Sequence, residues 1–311
     1  MRLKALSYYD GDKETRYGDC ILLYSTDSLI VYDCGHARHV QEVENFLTVN
    51  SLISQVYIVV SHNDSDHTDG IIELLEYLYN EQYTVTVYSS LYLKSTKKVL
   101  DILDDERRTL PATKERILKK FDKIRDIVEK AQKYGFAVKD ATVNAKVAMG
   151  TIVGPTEDEF VEVVAQAIED DRVTIIEGET VMNAASIQLK CDLEDGKVVL
   201  LCGDASPSYL YNLDGYEIIQ LPHHGQLDDA VRVFEKLKDS YSKTYLVSDN
   251  TGSSATSGGS DKLVEYMQEE YYTPALNTKN GVVDIPAKGF ANISIGKPQG
   301  VKLGEMDSKY R

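Results

Sequence analysis

No apolar run in this chain approaches the roughly 20 residues that a bilayer-spanning helix needs, so a membrane-spanning segment is not expected. The opening stretch, MRLKALSYYDGDKETRYGD, has no apolar signal core. The expectation is therefore a cytoplasmic protein. Cysteine is sparse: Cys20, Cys34, Cys191 and Cys202 lie in apolar strand-like runs and none has the Cys-x-x-Cys spacing of a zinc site. They read as reduced packing residues. Basic charge is also in short supply, with 34 Lys and Arg against 50 Asp and Glu and a net charge of −16. A protein that grips duplex DNA through many phosphates carries a basic face. Here the dense basic clusters are KSTKK and TKERILKKFDKIRD, the second interrupted by acids, and both read as solvated helix faces. Broad DNA binding is disfavoured, whereas a small anionic substrate at a metal centre is not. Neither an internal repeat nor a linker stands out, so the 311 residues read as one domain, 1–311.

What is present is an α/β pattern. Strand-like runs occur at residues 2–8 and in CILLYS, SLIVYDCG and QVYIVVSH, with a short helix near 38–49. IIELLEYLYNEQ has helical spacing, and YTVTVYSS alternates as a strand. Residues 94–135 read as almost wholly helical, broken near Leu110-Pro111. A helical insertion or lid is thus expected at about 91–150. Strands resume at SIQLKCDL, KVVLLCGD and YEIIQLPHH, followed by helix DDAVRVFEKLKDSY and strand TYLVSD. A Gly/Ser loop at 251–260, helix SDKLVEYMQEEY and short strands VVDIP and ANISIG close the pattern.

The chemistry concentrates in SHNDSDHTDG, residues 61–70, directly after the apolar QVYIVV. An acidic helix start would account for Asp64, Asp66 and Asp69 but leaves His62 and His67 unexplained. All six histidines (His36, His39, His62, His67, His223 and His224) follow strand-like runs, as do Asp33 in YDCGH and Asp204 in LLCGDAS. Strand ends in an α/β domain converge on one edge, where ligand sites form. Imidazoles and carboxylates gathered there are the ligand set of zinc, manganese or iron. His62, Asp64, Asp66 and His67 cannot all close on one ion without strain. They can be split between two neighbouring ions, with a carboxylate such as Asp204 between them.

These segments, in this order, resemble the metallo-β-lactamase fold: SHNDSDHTDGI, then LLCGDAS, then LPHHG. More narrowly, His-x-Asp-x-Asp-His is similar to the soluble hydrolase domain of ComEC-type competence proteins. YGDCILL, YDCG, NAASIQL and TKNGVVDI extend the likeness over nearly the whole chain outside 91–150. The resemblance implies a four-layer αβ/βα sandwich and a site for two divalent metal ions, zinc or manganese, with magnesium as a further candidate. It places His62 and Asp64 at one ion, Asp66 and His67 at the other, and Asp204 between. One histidine of the HHG pair would complete the second site. His223 is favoured as that ligand and His224 as the substrate-facing proton donor, although the sequence does not order them. Asp33 reads either as a carboxylate that orients a ligand histidine or as a turn residue. His36 and His39 fall to the cleft rim.

Departures from the family pattern matter too. No histidine lies between residues 67 and 223, so the first ion would keep His62, Asp64 and Asp204 alone. A weak first site follows, rich in oxygen ligands and leaning toward manganese or magnesium. SDNTGSSATSGGSD stands where a histidine-proline is usual, and Asn250 could contact substrate there. The implied activity is hydrolysis of a phosphodiester in a nucleotide or nucleic-acid end, with Asp66 and His224 as catalytic residues. A weakly catalytic metal-binding interaction module, with a protein partner on the helical insertion, is the first alternative. An ester, thioester or lactam hydrolase is the second.

Overall fold

The computed structural model describes residues 1–8, 17–90, 101, 110–169, 175–176, 179–250 and 259–287. Its strands in chain order are β1 (Arg2–Ala5), β2 (Ile21–Tyr24), β3 (Ser28–Tyr32), β4 (Gln55–Val59), β5 (Thr84–Ser89) and β6 (Ala137–Asp140). There follow β7 (Lys146–Val147), β8 (Gly150–Gly154), a hairpin of β9 (Ile175–Ile176) and β10 (Glu179–Thr180), β11 (Gln188–Asp192) and β12 (Val198–Leu201). The last are β13 (Ile218–Gln220), β14 (Thr244–Val247), β15 (Leu276–Asn277) and β16 (Val283–Ile285). Two seven-stranded sheets result, ordered β16-β1-β2-β3-β4-β5-β6 and β15-β14-β13-β12-β11-β8-β7. Each is mixed: β3 to β6 and β12 to β15 run parallel, and the remaining pairings are antiparallel.

Alternation along the strands builds the layers. On β3, Leu29 and Val31 face one apolar cluster, while Ile30 and Tyr32 face another. The first cluster is completed by helices α1 (Ala37–Val49) and, after the short α2 (Ser65–Thr68), α3 (Ile71–Asn80), through residues such as Val43, Leu47, Leu74 and Leu78. Helices α4 (Leu110–Lys120), α5 (Asp122–Lys133) and α6 (Glu157–Glu169) add Ile117, Ile124, Ile127 and Val164 to it. The second cluster lies between the sheets and joins Ile30 and Tyr32 to Leu189, Val199 and Leu201. A third covers the outer face of the second sheet. After the short α7 (Val181–Ala184), helices α8 (Leu227–Glu235) and α9 (Asp261–Glu269) supply Val233, Phe234, Leu263 and Met267 to it against Leu200, Ile219 and Val247. The period of two thus sends each strand's residues to opposite faces. This is the expected four-layer αβ/βα sandwich. All four cysteines are buried with free thiols.

The expected helical insertion holds two helices and adds strands to both sheets. Within 91–150 the helices α4 and α5 are followed by β6, which extends the first sheet, and by β7 and the start of β8 in the second. Its continuously described part, 110–150, thus leads from the first sheet into the second. Its apolar helix positions Ile117, Ile124, Ile127 and Ala131 are buried in the first cluster, so they are spent on the protein's own core and not on a partner. Residues 91–100 and 102–109, much of the expected Gly/Ser loop, and the final strand ANISIG lie outside the described residues. Among the described residues no helix is long and apolar enough to cross a membrane.

Candidate metal centre

Parallel strands put their C-terminal ends on one edge, and the antiparallel β2 begins at that same edge. Asp33 follows β3, Ser61 and His62 follow β4, Asp204 follows β12, His224 follows β13, and Asp19 precedes β2. Ile187 N–H donates to the Ser61 carbonyl (3.0 Å), which joins the two sheets beside the site.

The loop after β4 carries the motif, and its position rests on two glycines. A Cβ at Gly18 would fall 1.7 Å from the Asp66 carbonyl oxygen, and one at Gly35 would fall 1.9 Å from it. That carbonyl is nested between the YGD and CGH turns, and Asp19 N–H donates to it (2.9 Å). Gly70 N–H donates to the Cys34 carbonyl (2.8 Å) and closes the loop.

Three imidazoles converge. His67 Nδ1 donates to Asp33 Oδ2 (2.9 Å). Asp33 also accepts from Ser61 N–H (2.7 Å) and Ser61 Oγ (2.6 Å). Because the Ser61 hydroxyl donates to Asp33, it accepts from His62 Nδ1 (2.9 Å). His224 Nδ1 donates to Asp19 Oδ1 and to the Ser248 carbonyl, both at 3.0 Å. Gln220 Nε2 holds the other Asp19 oxygen (2.9 Å). With each Nδ1–H committed, the Nε2 atoms are the ones left to meet a shared centre.

There they meet Asp204. Its Oδ1 is 3.5 Å from His67 Nε2, and its Oδ2 is 3.7 Å from His224 Nε2 and 4.0 Å from His62 Nε2. Asp66 Oδ2 is 3.2 Å from His224 Nε2. Asp64, with a side chain 42% exposed, stands 4.0 Å from His62 Nε2. The Nε2 atoms of His62 and His67 and Asp204 Oδ1 are buried without a hydrogen-bond partner. Ligands about 2.0–2.1 Å from a shared tetrahedral ion stand roughly 3.3 Å from each other. The observed spacings are near that value, so these residues fit a divalent cation. His62, His67 and Asp204 form one group with ligand atoms within 4.8 Å of each other, and Asp19, His67 and His224 form another. Asp19 belongs behind the His224 ring, because both of its oxygens already accept hydrogen bonds.

Electrostatics agree with this arrangement. Burial alone would raise the Asp204 carboxyl, but His224, His67 and His62 outweigh it and hold it well below the usual range. Burial likewise opposes the Asp66 carboxylate, and His224 and His67 prevail. His67 and His224 are pushed down by burial but carried well above the ordinary imidazole value by Asp204, Asp33 and Asp19. His62 is lowered, by burial first and then by His67. The carboxylates thus favour protons on His67 and His224, and a cation bound by these groups would compete with those protons.

Several expected placements change. The HHG pair is turned so that His224 enters the cluster. His223 Nδ1 lies 3.6 Å from Asp229 Oδ2, outside the cluster. Both residues have left-handed backbones, φ 54° and 55°, and two consecutive residues of that kind reverse the direction that strand alternation would give. Asp33, also left-handed at φ 59°, is fully buried against His67. Asn250 is not on a rim: it is buried and donates to the Leu6 (3.3 Å) and Gly18 (2.7 Å) carbonyls, bracing the turn that carries Asp19. His39 is buried within α1, where the surroundings push its imidazole down to about 4. His36 caps α1, its Nδ1 accepting from Arg38 N–H (3.1 Å), and it lines a cleft beside the motif. Asp19, Gln220 and Ser61 were not expected. Asp19 had a signal, an acid directly before the wholly apolar CILLY.

No family model matches the sequence, and no curated protein matches it. Among solved structures, the chain is similar to the metallo-β-lactamase fold protein YhfI from Bacillus subtilis. The identity is 12%, over 70% of this chain and 69% of that one, with a TM-score of 0.39. It is also similar to the short form of human tRNase Z (13% identity, 74% and 80% covered, TM-score 0.36). A metallo-β-lactamase with a HARLDQ motif from Cronobacter sakazakii is comparable (15% identity, 76% and 75% covered, TM-score 0.33). At such identities and scores these likenesses assign neither an activity nor a ligand to this chain.

Proposed function

We propose that this chain is a metal-dependent hydrolase that cleaves a phosphodiester in a nucleotide or nucleic-acid end. The observation that carries the reading is that His62 Nε2, His67 Nε2 and Asp204 Oδ1 are buried without hydrogen-bond partners and face one another across the cluster that His224 Nε2 also enters. Asp66, His67 and His224 would hold one divalent ion, His62 and Asp64 a second and weaker one, with Asp204 shared. A divalent pair so held acidifies water and offsets charge on a phosphoryl group. Asp33, Asp19 and Ser61 fix the imidazole tautomers. His224, engaged at both ring nitrogens, is unsuited to donate a proton, so that role passes to His223, which is half-buried next to Asp229. The preference for phosphodiesters rests on the oxygen-rich first site, and the free-standing ComEC-like reading rests on the His62-x-Asp64-x-Asp66-His67 motif. A net charge of −16 favours compact substrates over long duplex DNA, because fewer phosphates approach an acidic surface.

The test is elemental analysis combined with assays in manganese, zinc and magnesium. The substrates are bis-p-nitrophenyl phosphate, cyclic nucleotides, single-stranded DNA, nitrocefin and a thioester. Manganese-stimulated phosphodiester cleavage is expected. Turnover of nitrocefin or the thioester alone would refute it. Metal binding with no turnover would leave the interaction module, which the exposed and distant Asp64 also favours.

A further inference from the structure

A cleft of about 400 Å³ opens beside the candidate centre, and its walls include the two acids of the motif, Asp64 and Asp66, with Asp69, His36, Asn63 and Lys123. Lys123 is the one Lys or Arg side chain among the described residues that line it. It reaches the cleft from α5 and is ion-paired there with Asp69. The pair has no part in the cage described above.

Two features make Lys123 more than a solvated surface cation. Its position is tied to the motif: Asn63, between His62 and Asp64, accepts from Ile124 N–H (3.0 Å) and donates to Asp122 Oδ1 (3.1 Å). The start of α5 is thereby fastened one residue away from a candidate ligand. Lys130 on Glu76 (3.3 Å) and the Tyr79–Tyr134 stack (centroids 4.3 Å apart) hold the rest of the helix on α3. The side chain is thus held over the cleft by a fixed base. Secondly, its partner is exchangeable. The Lys123 and Asp69 side chains are 37% and 51% exposed, and pairs of that exposure contribute little and separate readily. Across the cleft, His36 Nδ1 accepts from a backbone N–H, which leaves Nε2–H as a donor.

We propose that Lys123 is a specificity residue that leaves Asp69 to bind a second anionic group of the substrate, next to the reacting phosphodiester. This rests on the proposed hydrolase reading and narrows it: the substrate class is a phosphodiester that carries a further phosphate, as in a terminally phosphorylated nucleotide. With Asp64 and Asp66 committed to cations, the Asp69–Lys123 pair is electrically neutral. An incoming phosphate therefore exchanges one carboxylate for a stronger acceptor and adds no cation to the protein.

The experiment compares thymidine 5′-monophosphate with thymidine 3′,5′-bisphosphate, titrated calorimetrically into manganese-loaded protein. It also compares the matching p-nitrophenyl 5′-diesters, with and without the 3′-phosphate, as substrates. In the wild type the extra phosphate is expected to tighten binding, and lower KM, by about tenfold, the size of one charge-assisted hydrogen bond. Lys123→Met removes that advantage and leaves KM for the singly charged ester and kcat unchanged. Lys123→Arg retains most of it. Asp69→Asn, which removes the competitor, increases it, an outcome that a merely structural ion pair would not give. Equal affinity of the wild type for the two nucleotides overturns the proposal, as does an unchanged ratio in Lys123→Met. Discrimination between the nucleotides without hydrolysis of either ester refutes the hydrolase reading and leaves the Lys123 site standing.

Discussion

Replacing Gly35 with alanine tests the dependence of the cage on its supporting turns. The added Cβ would sit 1.9 Å from the Asp66 carbonyl oxygen and 2.5 Å from its carbon, whereas ordinary contact begins near 3.4 Å. The motif loop must therefore retreat by about 1.5 Å, and its atoms here are backbone with no side-chain rotamer to absorb the change. Metal ligands tolerate only about 0.2 Å. Asp66 and His67 move with that backbone, and the His67–Asp33 hydrogen bond is strained with them. Overpacking of this kind costs about 1–3 kcal/mol in stability, which a four-layer fold with three apolar clusters withstands. The expected phenotype is a folded protein with metal affinity at least 10–100-fold weaker, the range for loss of the groups that orient ligands. Circular dichroism would report the fold, and competition against a metallochromic chelator would report affinity. Gly215→Ala is the control, since nothing lies within 4 Å of its added Cβ. If Gly35→Ala binds metal within twofold of the wild type, the nested carbonyl does not position the cage.

Other outcomes follow from the same geometry. Asp204→Ala is expected to reduce metal content at both positions because its carboxylate faces all three imidazoles; full content by elemental analysis would remove its shared role. His224→Ala should lose metal, whereas His223→Ala should keep it and lose the basic limb of the pH–rate profile; the opposite pattern would reverse the assignment. Since His67 and His224 are raised above the ordinary imidazole value, metal uptake near pH 7 should release protons and tighten as pH rises. Calorimetry in buffers of different ionisation enthalpy that shows no proton release would contradict this. For His39 the shift runs in the opposite direction. Its imidazole is pushed down to about 4 in the fold but titrates near 6.5 when unfolded. Stability should therefore fall as pH drops from about 6.5 toward 4, by about 3 kcal/mol in total. His39→Leu should flatten that part of a denaturation-versus-pH series, and an unchanged slope would refute it.

The alternation in SLIVYDCG and QVYIVV, and the acids and imidazoles that follow such runs, were readable from the chain alone. A period of two and a polar strand end are local properties, and the edge to which parallel strands bring their ends follows from topology. His62, Asp64, Asp66, His67 and Asp204 could therefore be named as a group. Which histidine of HHG turns inward could not, because it depends on two left-handed backbone conformations held by packing around the turn, which neither composition nor spacing expresses. What the helices at 110–133 pack against was not readable for a similar reason: helical periodicity identifies a helix, but only the burial of Ile117, Ile124 and Ile127 in the first apolar cluster shows these positions to be core. Asp19 needed the tertiary structure most. Its partners His224 and Gln220 lie more than 200 residues away in sequence, and what unites them is the meeting of two sheets at one edge, where a buried carboxylate must find donors wherever the fold supplies them.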